Sequence, residues 1–454
     1  MSSETTLDLI GGTPVVRVTR LDTGPCELFL KLESQNPGGS IKDRVGRAMI
    51  EAAEEEGKLG PDQRRIVEAT AGNTGLGLAL VAARKGYRLT LVIPDKMSRE
   101  KVIHLKALGA EVIITRSDVE KGHPDYYQDL AERIAREDGA FYANQFGNPA
   151  NPRAHERTTG PEILRALDGR IDATVCGVGS GGTLTGLSRF FARTAPACEM
   201  VLADPEGSVL AGYVQTGKIG RAGSWLVEGI GEDFVPPIAD LSRVRRAYTI
   251  PDRESLEAAR SLLRAEGILA GSSSGTLLAA ALRYCREQSS PKRVVSIVAD
   301  SGNKYLSKQF DDAWMADAGF GAREATGDLR DLVTRRFTDG SVVTVQPADT
   351  LAVAFARMKL HGVSQLPVVE GRRIVGIVDE SDLLAATLAD EKHFGDAVRD
   401  VMASRLETVS PSTPLPRLLP LLADGLVPIL VDGEDFVGLV TRTDVLNHLR
   451  RRAH

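Results

Sequence analysis

The sequence predicts an α/β protein: a two-lobed body with parallel-type sheets, a linker, and a C-terminal tandem module. Three observations predict it. Short apolar runs alternate with amphipathic stretches from about residue 8 to 310. A stretch rich in Gly, Ala and charge, Met315 to Asp331, then interrupts the pattern. Beyond it the chain repeats itself with a period of roughly 60 residues.

In the body, the apolar runs RIVEA, LTLVIP, EVIIT, ATVCGVG, MVLAD and VVSIVAD read as strands. DRVGRAMIEAAEEEG, TGLGLALVAARKG and YYQDLAERIARED carry the helical period between them. Three hundred residues exceed one comfortable core, hence two lobes. The expected boundaries are 1–314 for the body, 315–331 for the linker, 332–392 for the first repeat and 393–454 for the second. Each repeat orders its elements as strand, Pro with a small polar residue, helix, strand, acid-Gly turn, a VG strand, and a helix opening with Asp.

Composition narrows the function. With 42% hydrophobic and 26% charged residues, the chain is an ordinary globular sequence. A net charge of −5 gives no global footprint for nucleic acid or an anionic membrane. The polar, acidic N-terminus is no secretory signal, and no apolar run suits a bilayer span. Cys26, Cys176, Cys198 and Cys285 are scattered, which excludes a disulfide framework and a zinc site. A cytoplasmic location is expected, with no metal.

Four stretches carry candidate chemistry. In NPGGSIKDR, Gly38 and Gly39 permit a tight turn and Ser40 with Asp43 approximates a capping box. Lys42 then falls in a first helical turn, where partial positive charge lowers its pKa and favours a nucleophilic amine. A solvated surface lysine is the alternative. EATAGNTGLGLAL places a Gly-Asn-Thr turn between a strand and a helix, suited to a carboxylate or phosphate, or simply a well-capped helix. GVGSGGTLTG, directly after a strand, offers a phosphate cradle. Gly177, Gly179 and Gly182 also spell G-x-G-x-x-G, with Asp204 about 20 residues on, as in a dinucleotide site. That reading leaves Lys42 and the Asn73 turn unexplained. GILAGSSSGT has three serines opening a helix after a short strand, either a flexible loop or a hydroxyl aimed at a ring nitrogen.

In this order, the four stretches resemble the tryptophan-synthase-β family of pyridoxal-phosphate (PLP) enzymes, fold type II. PDKMSREK, ADPEGSVL, LVEGIGEDF and FDDAWMADAGF are similar to the cystathionine β-synthase branch, and the repeats resemble a tandem CBS-domain (Bateman) module. The resemblance covers essentially the whole chain. It implies that Lys42 is the catalytic Schiff-base lysine and that Asn73 binds the cofactor's 3′ oxygen. Gly179, Ser180, Gly181, Gly182 and Thr183 would hold the phosphate, and Ser273 would face the pyridine nitrogen. Thr70, Ala71, Gly72, Thr74 and Gln145 would surround the substrate carboxylate. A hydroxyl, unlike a carboxylate, does not strongly protonate that nitrogen, so β-replacement is favoured over transamination.

The implied reaction condenses L-serine with L-homocysteine to L-cystathionine and water, with hydrogen sulfide from cysteine as a further capability. The alternatives are a cysteine synthase using O-acetylserine and sulfide, and a nucleotide-sensing protein with weak catalysis. Two departures from the family stand out: Ala71 where many relatives carry serine, and Glu232 where animal enzymes carry tyrosine. No haem is expected, because the short segment before GGTP has neither Cys nor His. By resemblance, Thr441 and Asp444 form the better adenosyl-ligand site, for S-adenosylmethionine or an adenine nucleotide. Asp379 and Glu380 in the first repeat would repel a phosphate. A homodimer is expected, with small-molecule amino-acid substrates and neither nucleic acid nor membrane as partner.

Overall fold

The computed structural model describes residues 4–452, apart from 71, 96, 98, 120, 121, 321–325 and 389. The chain forms two compact units, Met1–Phe310 and Asp311–His454.

The first unit contains two sheets. One has six strands in the order β1 (Val15–Arg17), β2 (Glu27–Leu32), β10 (Arg293–Val298), β7 (Ala173–Gly177), β8 (Glu199–Pro205), β9 (Val244–Ile250). All its pairings are parallel except β1 on β2. The other sheet is wholly parallel, in the order β5 (Glu111–Thr115), β4 (Arg88–Pro94), β3 (Arg65–Ala69), β6 (Phe141–Tyr142). The expected strands are present in both sheets. Their near-continuous apolar character follows from burial on both faces. The larger core packs around β7, β8 and β10 with the helix Ser272–Arg286; the smaller packs around β3 and β4 with the helices Lys42–Glu55 and Asn73–Lys85. Those last two helices touch through backbone. A Cβ on Gly46 would lie 2.5 Å from the Gly77 carbonyl carbon, and one on Gly77 would collide with the Lys42 carbonyl. Lys42 is therefore fixed against the helix that Asn73 opens.

β3 ends at Ala69, β7 at Gly177 and β10 at Val298. The loops that follow these carboxyl ends carry most of the candidate residues, the usual place for a ligand in parallel α/β sheets.

The second unit repeats one motif. Strands Gln365–Glu370 and Arg373–Asp379 pair antiparallel, as do Ile429–Asp432 and Asp435–Leu439. Each pair is followed by a helix, Glu380–Thr387 and Arg442–Arg452. The opening strand of the first repeat is reduced to an isolated bridge, Val345 to Val368. Val369, Ile374, Ile429 and Phe436 form a small core shared by the repeats. The stretch expected as a linker is structured at both ends. Met315 is buried in the helix Asp312–Asp317, and Leu329 is buried with Leu418 and Val440 of the second repeat. No helix among the described residues is long and apolar enough to cross a membrane.

Candidate active site

Lys42 opens the helix Lys42–Glu55, after a turn in which Gly39 has φ +74°. The expected capping box between Ser40 and Asp43 is not formed. Ser40 Oγ accepts the Lys42 N–H at 3.3 Å, while the Asp43 carboxylate reaches further back to accept the Gly38 N–H at 2.5 Å. The turn is closed tightly enough, by Gly39 N–H to Asn36 O at 2.7 Å, that Gly38 is the nearer donor. The Lys42 Nζ donates to Ser180 Oγ at 3.1 Å. Burial lowers its pKa to about 8, opposed by the carboxylates of Glu232 and Glu68. The amine is therefore available as a base near neutrality.

Gly179, Ser180, Gly181, Gly182 and Thr183 wrap the start of the helix Gly182–Thr194. Gly181 has φ +89°, and a Cβ on Gly179 would lie 2.5 Å from the Gly229 carbonyl oxygen. One on Gly182 would collide with the Asn151 carboxamide. Ser180 Oγ accepts from both Lys42 Nζ and Asn151 Nδ2, the latter at 3.0 Å. Its lone pairs are taken, and its own proton remains to be given. Unpaired N–H groups of a helix start add further donors. A donor-rich, acceptor-poor cradle with close-packed glycines fits the phosphate of PLP.

Asn73 opens the helix Asn73–Lys85. Its Nδ2 donates to Asp300 Oδ2 at 2.7 Å, and its Oδ1 accepts from Lys304 Nζ at 2.9 Å. Both ends are held, so the carboxamide cannot flip. Thr70 Oγ1 accepts from the N–H groups of Gly72 (3.2 Å) and Gly75 (3.3 Å). Thr74 Oγ1 donates to Gln145 Oε1 at 2.6 Å, and Gln145 Nε2 donates to Ala69 O at 3.2 Å. Gln145 thus braces the loop. Ala71 lies outside the described residues. Beneath this loop Glu68 is fully buried, with Oε2 lacking a hydrogen-bond partner among the described residues. Burial raises its pKa to about 8, against the pull of hydrogen bonds from Gln145 and Asn144 and of the Lys42 charge.

The three serines separate by what they bond. Ser272 Oγ accepts the Glu228 N–H at 3.0 Å and Ser274 Oγ accepts the Ala299 N–H at 2.9 Å. The Ser273 hydroxyl, beside Gly229, makes no hydrogen bond among the described residues. The short strand expected before them is only a bridge, Ala270 to Ser301, because the segment passes directly from a helix end into the next helix. Asp204 is fully buried and accepts the Ala211 N–H at 2.8 Å, so it caps the helix Leu210–Thr216 and does not face a ribose.

Sequence reasoning missed a ring of supporting residues. Asn151 and His155 reach the cradle; Asp300, Lys304 and Tyr305 hold Asn73, with Tyr305 OH donating to Asp300 Oδ2 at 2.5 Å. Lys101, only 2% exposed, pairs with Glu228 at 2.7 Å, which also pairs with Lys308 at 2.6 Å. Lys101 closes PDKMSREK and Glu228 stands in LVEGIGEDF, stretches that the sequence marked only by their resemblance, and Asp300 follows an apolar strand.

In the second unit, Thr441 Oγ1 donates to Asp444 Oδ2 at 2.5 Å and accepts the Asp444 N–H at 3.2 Å. In the first repeat Asp379 and Asp382 form a reciprocal capping box.

The pyridoxal-phosphate dependent enzyme family matches residues 6–300, and the CBS domain matches residues 329–389 and 398–451. The chain is 36% identical over 460 residues to cystathionine beta-synthase of Dictyostelium discoideum, covering 98% of this chain and 92% of that one. It is 42% identical over 311 residues to cysteine synthase of Staphylococcus aureus, covering 67% of this chain and 96% of that one. Among solved structures it resembles the O-acetylserine dependent cystathionine beta-synthase from Helicobacter pylori, with TM-score 0.62 and 37% identity, over 68% of this chain and 98% of that one. The Lys42 amine, the donor-rich cradle and the two-sheet body, with these matches, make the chain a member of the pyridoxal-phosphate-dependent enzymes, in the cystathionine β-synthase group that carries a C-terminal pair of CBS domains.

Proposed function

We propose that the enzyme condenses L-serine with L-homocysteine to give L-cystathionine and water. The observation that carries this reading is the Lys42 amine, its pKa lowered to about 8, held 3.1 Å from Ser180 in the glycine cradle. Bound there, PLP supplies a reactive aldehyde and an electron-accepting ring that loosens bonds at an amino acid's Cα. Gly179 to Thr183 would hold the phosphate, the Asn73 carboxamide would donate to the 3′ oxygen, and Ser273 would meet the ring nitrogen. Thr70, Gly72 and Thr74 bind the substrate carboxylate, with Gln145 as their brace and Ala71 in the same loop. Lys42 takes the Cα proton of serine and later returns it. The hydroxyl leaves Cβ as water with the proton that the homocysteine thiol gives up, and the resulting thiolate replaces it at Cβ.

The choice of serine and homocysteine is supported by similarity to cystathionine beta-synthases through the tandem module, where cysteine synthase aligns with 67% of the chain. A second reading, with O-acetylserine as donor, is favoured by the likeness to the Helicobacter pylori protein. Cysteine as donor would release hydrogen sulfide. Steady-state product analysis with serine, O-acetylserine and cysteine against homocysteine and sulfide tests these readings. Cystathionine from serine and homocysteine is expected to form fastest. Fastest formation of cysteine from O-acetylserine and sulfide would overturn the proposal.

We further propose an adenosyl ligand at Thr441 and Asp444, whose placement at the start of the helix Arg442–Arg452 supports it. Asp379 and Glu380 disfavour phosphate in the first repeat. A homodimer is supported by exposed apolar residues on the module's helices, including Phe355, Leu360, Leu384, Leu446 and Leu449. Four buried free thiols suit a reducing, cytoplasmic setting.

A further inference from the structure

We infer that His155 is a positioning residue that passes a hydrogen-bond donor from the buried scaffold, through Thr183, to the cofactor's phosphate. The inference rests on the proposed role of the glycine cradle. His155 is fully buried and opens a π-helical turn, His155–Thr159, a distortion that recurs at functional sites. A Cβ on Gly186 would lie 2.8 Å from the His155 Cβ, so the two helices approach closely enough to set the ring beside Thr183. His155 Nδ1 is 3.0 Å from Thr159 Oγ1, and Nε2 is 3.3 Å from Thr183 Oγ1.

The direction of this chain follows from proton accounting. Thr159 is also fully buried, and its hydroxyl has no other hydrogen-bond partner among the described residues. A buried hydroxyl must place its proton on an acceptor. Thr159 therefore donates to Nδ1. The neutral ring then carries its proton on Nε2 and donates to Thr183 Oγ1. Thr183, half-buried in the first turn of the helix Gly182–Thr194, is left with its own proton to give to an anion. The opposite order would turn an oxygen lone pair toward the phosphate. Burial, then the charges of Lys42 and Arg44, lower the His155 pKa well below its ordinary value, so the ring stays neutral and the order does not reverse.

The test compares binding of PLP and of pyridoxal, which lacks the phosphate, to the full-length chain stripped of cofactor, read by absorbance. His155→Leu is expected to weaken PLP about tenfold or more and to leave pyridoxal within about twofold. His155→Gln, whose amide nitrogen reaches the Nε2 position, should return PLP to within about threefold of the native chain. Thr159→Val, which frees the choice of tautomer, should weaken PLP a few-fold and spare pyridoxal; it carries the test if His155→Leu does not fold. Parallel loss of both compounds would make His155 a packing residue and overturn the inference. So would a His155→Gln protein as weak as His155→Leu, or a Thr159→Val protein with native affinity. Thr183→Val separates the two levels. If it lowers the preference for PLP over pyridoxal while the His155 variants do not, the relay alone fails. If it leaves that preference intact, the assignment of the cradle fails with it.

Discussion

Two helix starts in this chain look alike in sequence and differ in what they leave over. At Gly182, a strand runs into glycines, a serine and a threonine; at Arg442, a strand runs into threonines and an aspartate. In the first, Ser180 accepts from Lys42 and Asn151 and keeps its proton, while glycines keep side chains out of the turn. In the second, Thr441 gives its proton to Asp444 and takes the Asp444 N–H in return. One start exports donors; the other satisfies itself. A helix terminus becomes a strong anion site only when capping leaves donors unspent. A ligand at Asp444 must compete with Thr441.

Substitutions can break this contrast, and the largest effect belongs to Lys42. Lys42→Ala should lower turnover roughly 10³-fold or more, since it removes the amine that moves the Cα proton. Ser273→Asp should follow, with turnover falling by roughly 10²-fold as a carboxylate meets the ring nitrogen. By contrast, Ser272→Ala and Ser274→Ala should each cost about 1 kcal/mol in a denaturant melt, with little change in turnover, because those hydroxyls serve backbone N–H groups. Lys304→Met should weaken cofactor binding roughly tenfold, because the Asn73 carboxamide loses the donor that fixes its orientation. Rate against pH should sharpen the same point. Lys42 acts as a base only when neutral, so below about 8 the rate should climb with pH and then level. At the self-satisfied start, Asp444→Ala should cost about 1 kcal/mol of stability. It should leave turnover without ligand unchanged and abolish the heat of S-adenosylmethionine binding in titration calorimetry.

Where local sequence dictates structure, the chain is readable. The runs RIVEA, LTLVIP and EVIIT are strands because each is short, apolar and bounded, and their burial in a parallel sheet leaves no polar alternation. Lys42, Asn73 and Ser180 stand out for the same reason: each adjoins a glycine turn at a helix start. Long-range partnerships are not readable in this way. Nothing in KYL announces that Lys304 reaches Asn73 across 231 positions, or that Asn151 meets Ser180. Those contacts arise only when strand ends converge. The same holds for Asp43. Its spacing from Ser40 suggests a capping box, but a closed turn offers it the Gly38 N–H instead. Asp204 misleads similarly, matching a dinucleotide spacing while it caps a neighbouring helix.

The central claim is that Lys42, and not another buried lysine, carries the cofactor. Lys31, Lys101 and Lys304 are buried in this unit too; Lys31 Nζ is spent on Thr13 O and Glu162, which leaves Lys101 and Lys304 as rivals, and burial lowers the pKa of Lys304 as well. Borohydride reduction of the full-length holoenzyme, followed by proteolysis and mass spectrometry, distinguishes the three. The account predicts a phosphopyridoxyl group on the peptide containing Lys42, with Lys101 and Lys304 unmodified. The same group on Lys101 or Lys304, with Lys42 unmodified, would contradict it.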